Sequence, residues 1–381
     1  VPVAVLAGAI ANKPGNGGEA WVRLSWLLGL RRLGWDVFFV ERLVGPVDPI
    51  AVTHLETTMA AHGLGDCWAL LDRGGASLAG LRRDDLDAAA AEAEVLFNHS
   101  GHLPPGPLRD APRSSVYVDL DPAFTQVWHA DPDVAFSVAD HDRHVTVGLN
   151  LGAPDCRLPD DGVDWIPTPP PVDLDRWPRA PLPAGGPFRF TTVATWRSPY
   201  GELPVGGRIA PGKHHEFRRL VDLPAHVEGA AFELALDIHP GDGADLRALR
   251  DAGWAVVAPR EVASTPAAFA AYVRGSGAEF SVAQGAYVAS RCGWFSDRTA
   301  AYLASGRPAL VQDTGIGERL PIGEGLLTFA DLAGAADAAR RLLADPVGHA
   351  EAARELARSH LDSDLVLGNL LERLGLGSPV A

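Results

Sequence analysis

The chain has 381 residues, 47% of them hydrophobic and 21% charged, which is enough apolar material for two full-sized cores rather than one. A formal net charge of -15 excludes the basic footprint that nucleic acid or anionic lipid demands, yet leaves room for a local anion site built from one or two cations. Cys67, Cys156 and Cys292 form neither a disulfide framework nor a zinc pattern, and no run approaches the ~20 apolar residues of a membrane span, so a reducing, cytoplasmic setting is expected.

Val3–Ala7 predicts a buried strand, rather than part of a leader peptide, followed by a glycine-rich loop over Asn12–Gly18. Glu19–Leu33 carries apolar residues at helical spacing with Gly34 just beyond, and Asp36–Glu41 reads as a second strand. Further strands are expected at Glu94–Asn98, Ser115–Asp119, Val134–Val138 and Thr146–Leu149. Eight prolines between Pro167 and Pro187 rule out regular structure there, which marks 171–187 as a linker. The alternation then restarts, with strands at Phe188–Ala194, Phe232–Leu236, Ala255–Ala258, Glu279–Val282 and Pro308–Gln312. Helices fit Lys213–Leu220, Asp242–Ala252, Pro266–Val273, Ser296–Ala304 and Ala333–Leu343. The expected fold class is α/β, with two doubly wound Rossmann-like domains (1–170 and 188–347) facing across a cleft. A helical tail over 348–381 would pack back on the first domain.

Glu279–Gly315 reads as strand, loop, helix, strand, loop. Ser296 or Asp297 caps the helix, whose free first-turn amides form an anion site flanked by Arg291 and Arg298. Asp313-Thr314-Gly315 closes the next strand where hydroxyl-bearing ligands are read. The strand ending at Trp196-Arg197-Ser198 leads through a loop to Lys213, and Lys213 and Arg298 both read as solvent-facing. His214-His215 lacks metal-ligand spacing.

Glu279–Gly315, with its ending AYLASGRPALV, resembles the donor-binding half of GT-B glycosyltransferases. Gly17-Gly18-Glu19-Ala20-Trp21, Gly29–Gly34 and Asp121–Gln126 match further motifs of a bacterial group of that kind, so the resemblance spans nearly the whole chain. It implies transfer of a sugar from a nucleotide-sugar donor to a small-molecule acceptor, with specialised metabolites the expected class and no metal or other cofactor. The implied donor neighbours are Trp196, Ser198, Lys213, Arg260, Tyr287, Arg291, Gly293, Trp294, Phe295, Ser296, Asp297, Arg298, Asp313 and Thr314. The glutamate pair of many retaining members is missing, its places being taken by Gly293 and Ala301.

The first domain is expected to hold the acceptor, with Gly17, Gly18, His99, Asp119, Gln126 and His129 as candidate neighbours. Transfer requires a base on that side, for which His102, Asp121 and Glu19 are candidates. Asp119 and Asp121 both stand at a strand end, and Asp121-Pro122 also fits a helix N-cap. The same donor site would serve a GT-B-like epimerase, a pseudo-glycosyltransferase or a non-catalytic nucleotide-sugar-binding protein.

Overall fold

The computed structural model describes residues 1–134 and 136–377. The first sheet comprises β1 (Val3–Ala7), β2 (Asp36–Arg42), β3 (Trp68–Leu71), β4 (Ser77–Gly80), β5 (Val95–His99), β6 (Ser115–Asp119), β7 (Arg143–Thr146) and β8 (Trp165–Pro167). Their order is β4-β3-β2-β1-β5-β6-β7-β8, and only the edge pair β3–β4 is antiparallel. Parallel strands need helical crossovers that cover both faces, which is why Ala4, Val5, Leu6, Val95, Leu96 and Phe97 are all fully buried.

β9 (Phe188–Thr195) opens the second domain. A hairpin of β10 (Leu203–Val205) and β11 (Arg208–Ala210) stands outside its sheet, turning on Gly206 and Gly207, both at positive φ. Next come β12 (Ala230–Asp237), β13 (Ala255–Val257), β14 (Ala278–Ser281), β15 (Ala309–Gln312) and β16 (Leu326–Phe329). The second sheet is wholly parallel in the order β13-β12-β9-β14-β15-β16. In both sheets the order reverses beside the first strand, between β1 and β5 and between β9 and β14. Such a reversal opens a crevice at the carboxyl ends of the strands. The molecule is therefore an α/β protein of two doubly wound domains whose strand ends face each other.

Three expected elements differ. The strand over Val134–Val138 includes Ala135, which lies outside the described residues, and its described neighbours form no strand. The sheet position goes to β7, three residues ahead of the expected Thr146–Leu149, because Val147–Asn150 turn away to meet the second domain. The expected helical tail forms as two helices, Pro346–His360 and Ser363–Arg373, starting just ahead of the expected 348, and residues 378–381 of that segment lie outside the described residues. At the break, Val172 N donates to Leu361 O (2.8 Å) and Ser363 N to Val172 O (3.0 Å).

The last helix seats on the first helix, Gly17–Arg32, where a Cβ at Gly29 would stand 2.6 Å from Leu367 Cδ1. The proline-rich stretch is irregular but pinned. Trp177 is 1% exposed against Trp21 (ring centroids 4.8 Å apart), and Arg307 Nη2 donates to Pro181 O at 2.7 Å. One apolar cluster runs from the first helix through Trp177 into Pro266–Arg274, Asp297–Ala304 and the last two helices, so the domains share a core along one side of the cleft.

Candidate active site between the domains

Backbone complementarity closes the junction at two points. Gly17 N donates to Ala263 O at 2.8 Å, and a Cβ on Gly17 would lie 2.0 Å from Thr265 O. A side chain on Gly18 would meet the Phe269 ring at 3.2 Å. The two glycines thus face the other domain. Asn150, fully buried, is the second point: its Nδ2 donates to Arg291 O (3.1 Å) and Gly315 O (2.9 Å), and its Oδ1 accepts from Arg319 Nε (3.0 Å). Gly293 at φ 68 lies under Asn150, with a Cβ there only 2.9 Å from Asn150 N, which leaves no room for a glutamate.

On the second-domain side, Ser296 caps helix Asp297–Ala304, its Oγ accepting from Arg298 N at 3.3 Å. The other first-turn amides have no acceptor within the helix, as at the start of any helix. Phe295 is buried beneath this turn and Trp294 lies tilted against Tyr287, centroids 4.8 Å apart. Burial, reinforced by Glu19 across the cleft and opposed by Arg298 and Arg23, raises the Asp297 pKa to about 6.

Arg298 is not the solvent-facing cation expected. Its guanidinium donates to Glu279 Oε1 (2.6 Å), Val193 O (2.9 Å) and Ser281 Oγ (2.7 Å), binding the ends of β9 and β14 together. Lys213 departs from expectation differently: it is 8% exposed, and among the described residues no hydrogen bond engages its ammonium. Burial, aided by Arg298 and opposed by Glu279, lowers its pKa to about 7. Its helix is tied over β15 by Gln312 Nε2 donating to Glu216 Oε2 at 2.6 Å.

Several other donor candidates are engaged within the protein. Trp196 is core, donating to Asp245 Oδ2 at 3.0 Å. Thr314 is 1% exposed and donates to Trp294 O at 2.8 Å. Asp313 accepts from Gly315 N, and Arg291 (φ 53) is paired with Glu318 at 2.6 Å. Ser198 Oγ accepts from Tyr200 N at 3.2 Å, while Arg260 is exposed on the short helix Pro259–Val262.

On the first-domain side, Asp119 is saturated. It accepts from Asp121 N, Thr125 Oγ1, Gln126 Nε2 and Thr146 Oγ1, all within 3.0 Å, so it and Gln126 build the scaffold beneath the cleft. Gln126 Oε1 also takes Ala123 N (2.7 Å), and Ala123, at φ 78, is the N-cap of helix Phe124–Ala130 in place of Asp121. Asp121 is thereby left to the cleft, where its Oδ1 accepts from Tyr287 Oη of the second domain at 3.2 Å. Burial first, then Asp119 and Glu19, raise its pKa to about 6.

Glu19 is half-buried and bonded to Arg23 at 2.5 Å. Burial raises its pKa, but Arg23 and Lys13 outweigh that and leave it below the usual value. His102 is lowered to about 4, by burial and then Arg23. His99 is fully buried, edge-on to Trp26, with neither ring nitrogen partnered, and its pKa falls well below that of a free histidine. His129 lies half-buried near the end of its helix.

Sequence reading passed over Arg23, Glu41, Asn150 and Tyr200. Glu41 fills the first domain's own anion nest: Oε2 accepts from Ile10 N (2.7 Å) and Ala11 N (2.8 Å), and Oε1 from Asn12 N (2.6 Å). Tyr200 stands at the rim, its ring 5.0 Å from Trp128 and 5.1 Å from Phe124. Only the Val-Gly-Gly-Arg turn that carries the neighbouring hairpin had a local signal. Among the described residues no group of three or more His, Cys, Asp or Glu is placed to hold a metal ion, and no helix is long and apolar enough to cross a membrane.

No family model matches the chain, and no curated protein matches it in sequence. Solved structures do. Sucrose-phosphate synthase from Thermosynechococcus elongatus superposes with a TM-score of 0.59 at 14% identity, covering 98% of this chain and 99% of that one. The Anabaena protein HepE in complex with UDP and glucose gives 0.60 at 13% identity, covering 98% and 100%. AviGT4, a glycosyltransferase involved in avilamycin A biosynthesis, gives 0.58 at 14% identity, covering 98% and 97%. The chain has the GT-B fold over nearly its full length.

Proposed function

We propose that the protein transfers a glycosyl group from a nucleoside-diphosphate sugar, bound by the second domain, to a small-molecule acceptor bound by the first. The observation that carries this reading is Lys213, a side chain only 8% exposed whose ammonium has no hydrogen-bond partner among the described residues, beside Arg298 and the open start of helix Asp297–Ala304. A desolvated, unpaired cation is costly and calls for an anion in the occupied state. The first domain offers no equivalent, since Glu41 already fills its nest. HepE, of the same fold, was solved with UDP and with UDP-glucose, which supports a diphosphate ligand here.

In the proposed reaction the acceptor oxygen attacks the anomeric carbon and loses its proton to Asp121, while the bond from that carbon to the diphosphate breaks. Lys213 and the helix amides take up the charge that develops on the leaving group. Asp121 suits the base: a pKa of about 6 leaves it ionised at neutral pH yet more basic than an ordinary carboxylate. Arg23 holds Glu19 too acidic for that role, and His102 is weakly basic. With the diphosphate neutralised by protein groups, transfer is expected to persist in EDTA. An acceptor drawn from specialised metabolism fits the aromatic rim of Tyr200 and Trp128.

Titrating uridine, thymidine, guanosine and adenosine diphosphates by calorimetry tests the reading. One of them is expected to bind, and Lys213→Met to weaken it about ten- to a hundredfold, the loss of one charged partner. Failure of all four to bind the wild type rejects the donor site.

A further inference from the structure

Tyr287 belongs to the second domain, yet its hydroxyl is the sole donor to the Asp121 carboxylate among the described residues, at 3.2 Å. Asp119, two residues earlier, has three side-chain donors and one amide. The first domain thus saturates its structural aspartate and leaves the cleft-facing one to be held from the opposite side. Tyr287 is placed rigidly for this. It is 3% exposed and lies between the Trp294 ring and Phe124, the latter edge-on at 6.2 Å.

We propose that Tyr287 is a positioning residue for Asp121, fixing across the domain junction the carboxylate that takes the acceptor proton. This rests on the glycosyl-transfer reading and adds to it a coupling, because the base is oriented only while the domains are together. Around Asp121 stand Asp119 and Tyr117 from β6, Glu19 and Lys13 from the first helix and its loop, Tyr200 from the rim, and Tyr287. Lys13 and Tyr287 favour the ionised carboxylate, while Asp119 and Glu19 oppose it. Burial, then Asp121 itself, holds the Tyr287 hydroxyl far above its ordinary value, so it stays a donor at every working pH.

Tyr287→Phe removes the donor and keeps the ring. In the full chain, the carbon-13 titration of the Asp121 carboxyl, the pH profile of kcat and nucleoside-diphosphate affinity are followed in wild type and variant. Loss of a hydrogen bond to the charged form raises the pKa. The midpoint is expected to rise by about half to one pH unit. Through that shift the fall in transfer is about two- to fivefold larger at pH 6 than at pH 8, where any remaining loss reports the lost orientation, with diphosphate affinity unchanged. An unmoved Asp121 midpoint, a loss equal at both pH values, or weakened diphosphate binding overturns the proposal, the last by placing Tyr287 in the donor site. If the wild type moves no sugar, the proposed reaction falls, yet the carboxyl titration still decides whether Tyr287 governs Asp121.

Discussion

The Lys213 ammonium has given up most of its water without gaining a protein partner, and its pKa has dropped from 10.5 to about 7. Between those values the unfolded chain binds the proton and the folded one does not, so this residue makes stability rise with pH across that window. At pH 7 and below the buried charge costs on the order of a few kcal/mol. Lys213→Met is therefore expected to raise the melting temperature of the ligand-free protein while it weakens donor binding, a pairing that thermal melts and calorimetry check together. A bound diphosphate restores the proton. Calorimetry in buffers of different ionisation heat should show net proton uptake on binding at pH 8 and little at pH 6.

At the scale of single elements, most amides of the glycine-rich loop Asn12–Gly18 are engaged within the protein. Asn12 N is bound to Glu41, Lys13 N to Ile10 O, Asn16 N to Lys13 O and Gly17 N to Ala263 O. Gly17→Ala would push a methyl against Thr265 O, a backbone atom that cannot rotate away, and is expected to cost about 1–3 kcal/mol in a melting experiment. The sequence shows the glycines but not what approaches them. Long parallel strands and capped helices were legible because period and capping are local, as at β1, β9 and Ser296. β8, three residues ending in proline, has no pattern to find. The base candidate Asp121 was visible at its strand end, whereas Tyr287 as its partner was not, because the two lie 166 residues apart. Arg298 and Lys213 both depart from the solvent-facing expectation because of contacts made only on folding, with Glu279 and Ser281 claiming the arginine.

At the scale of the molecule the two domains share a plan but not a role. One anion nest is filled by the protein's own Glu41, while the start of the Asp297–Ala304 helix is left open, so the proposed diphosphate has a place on one side of the cleft. Asn150 sets how firmly that cleft is held. Asn150→Ala strands the Arg291 and Gly315 carbonyls, at a cost of about 1–3 kcal/mol. The radius of gyration from small-angle scattering is expected to increase, with a lower melting temperature and weaker donor binding. The proline-rich stretch, held by Trp177 and Arg307, does not act as a free tether, so opening has to work against those contacts.

The seat of helix Ser363–Arg373 on helix Gly17–Arg32 also sets an order of assembly. During translation the first sheet emerges early, but the surface around Gly29 stays bare until more than three hundred further residues have left the ribosome. The second domain has all its strands by Phe329, before the covering helix Ser363–Arg373 emerges. Of the two domains, the one made earlier is the last to be finished, and in that interval its uncovered helix is where a chaperone has most to protect.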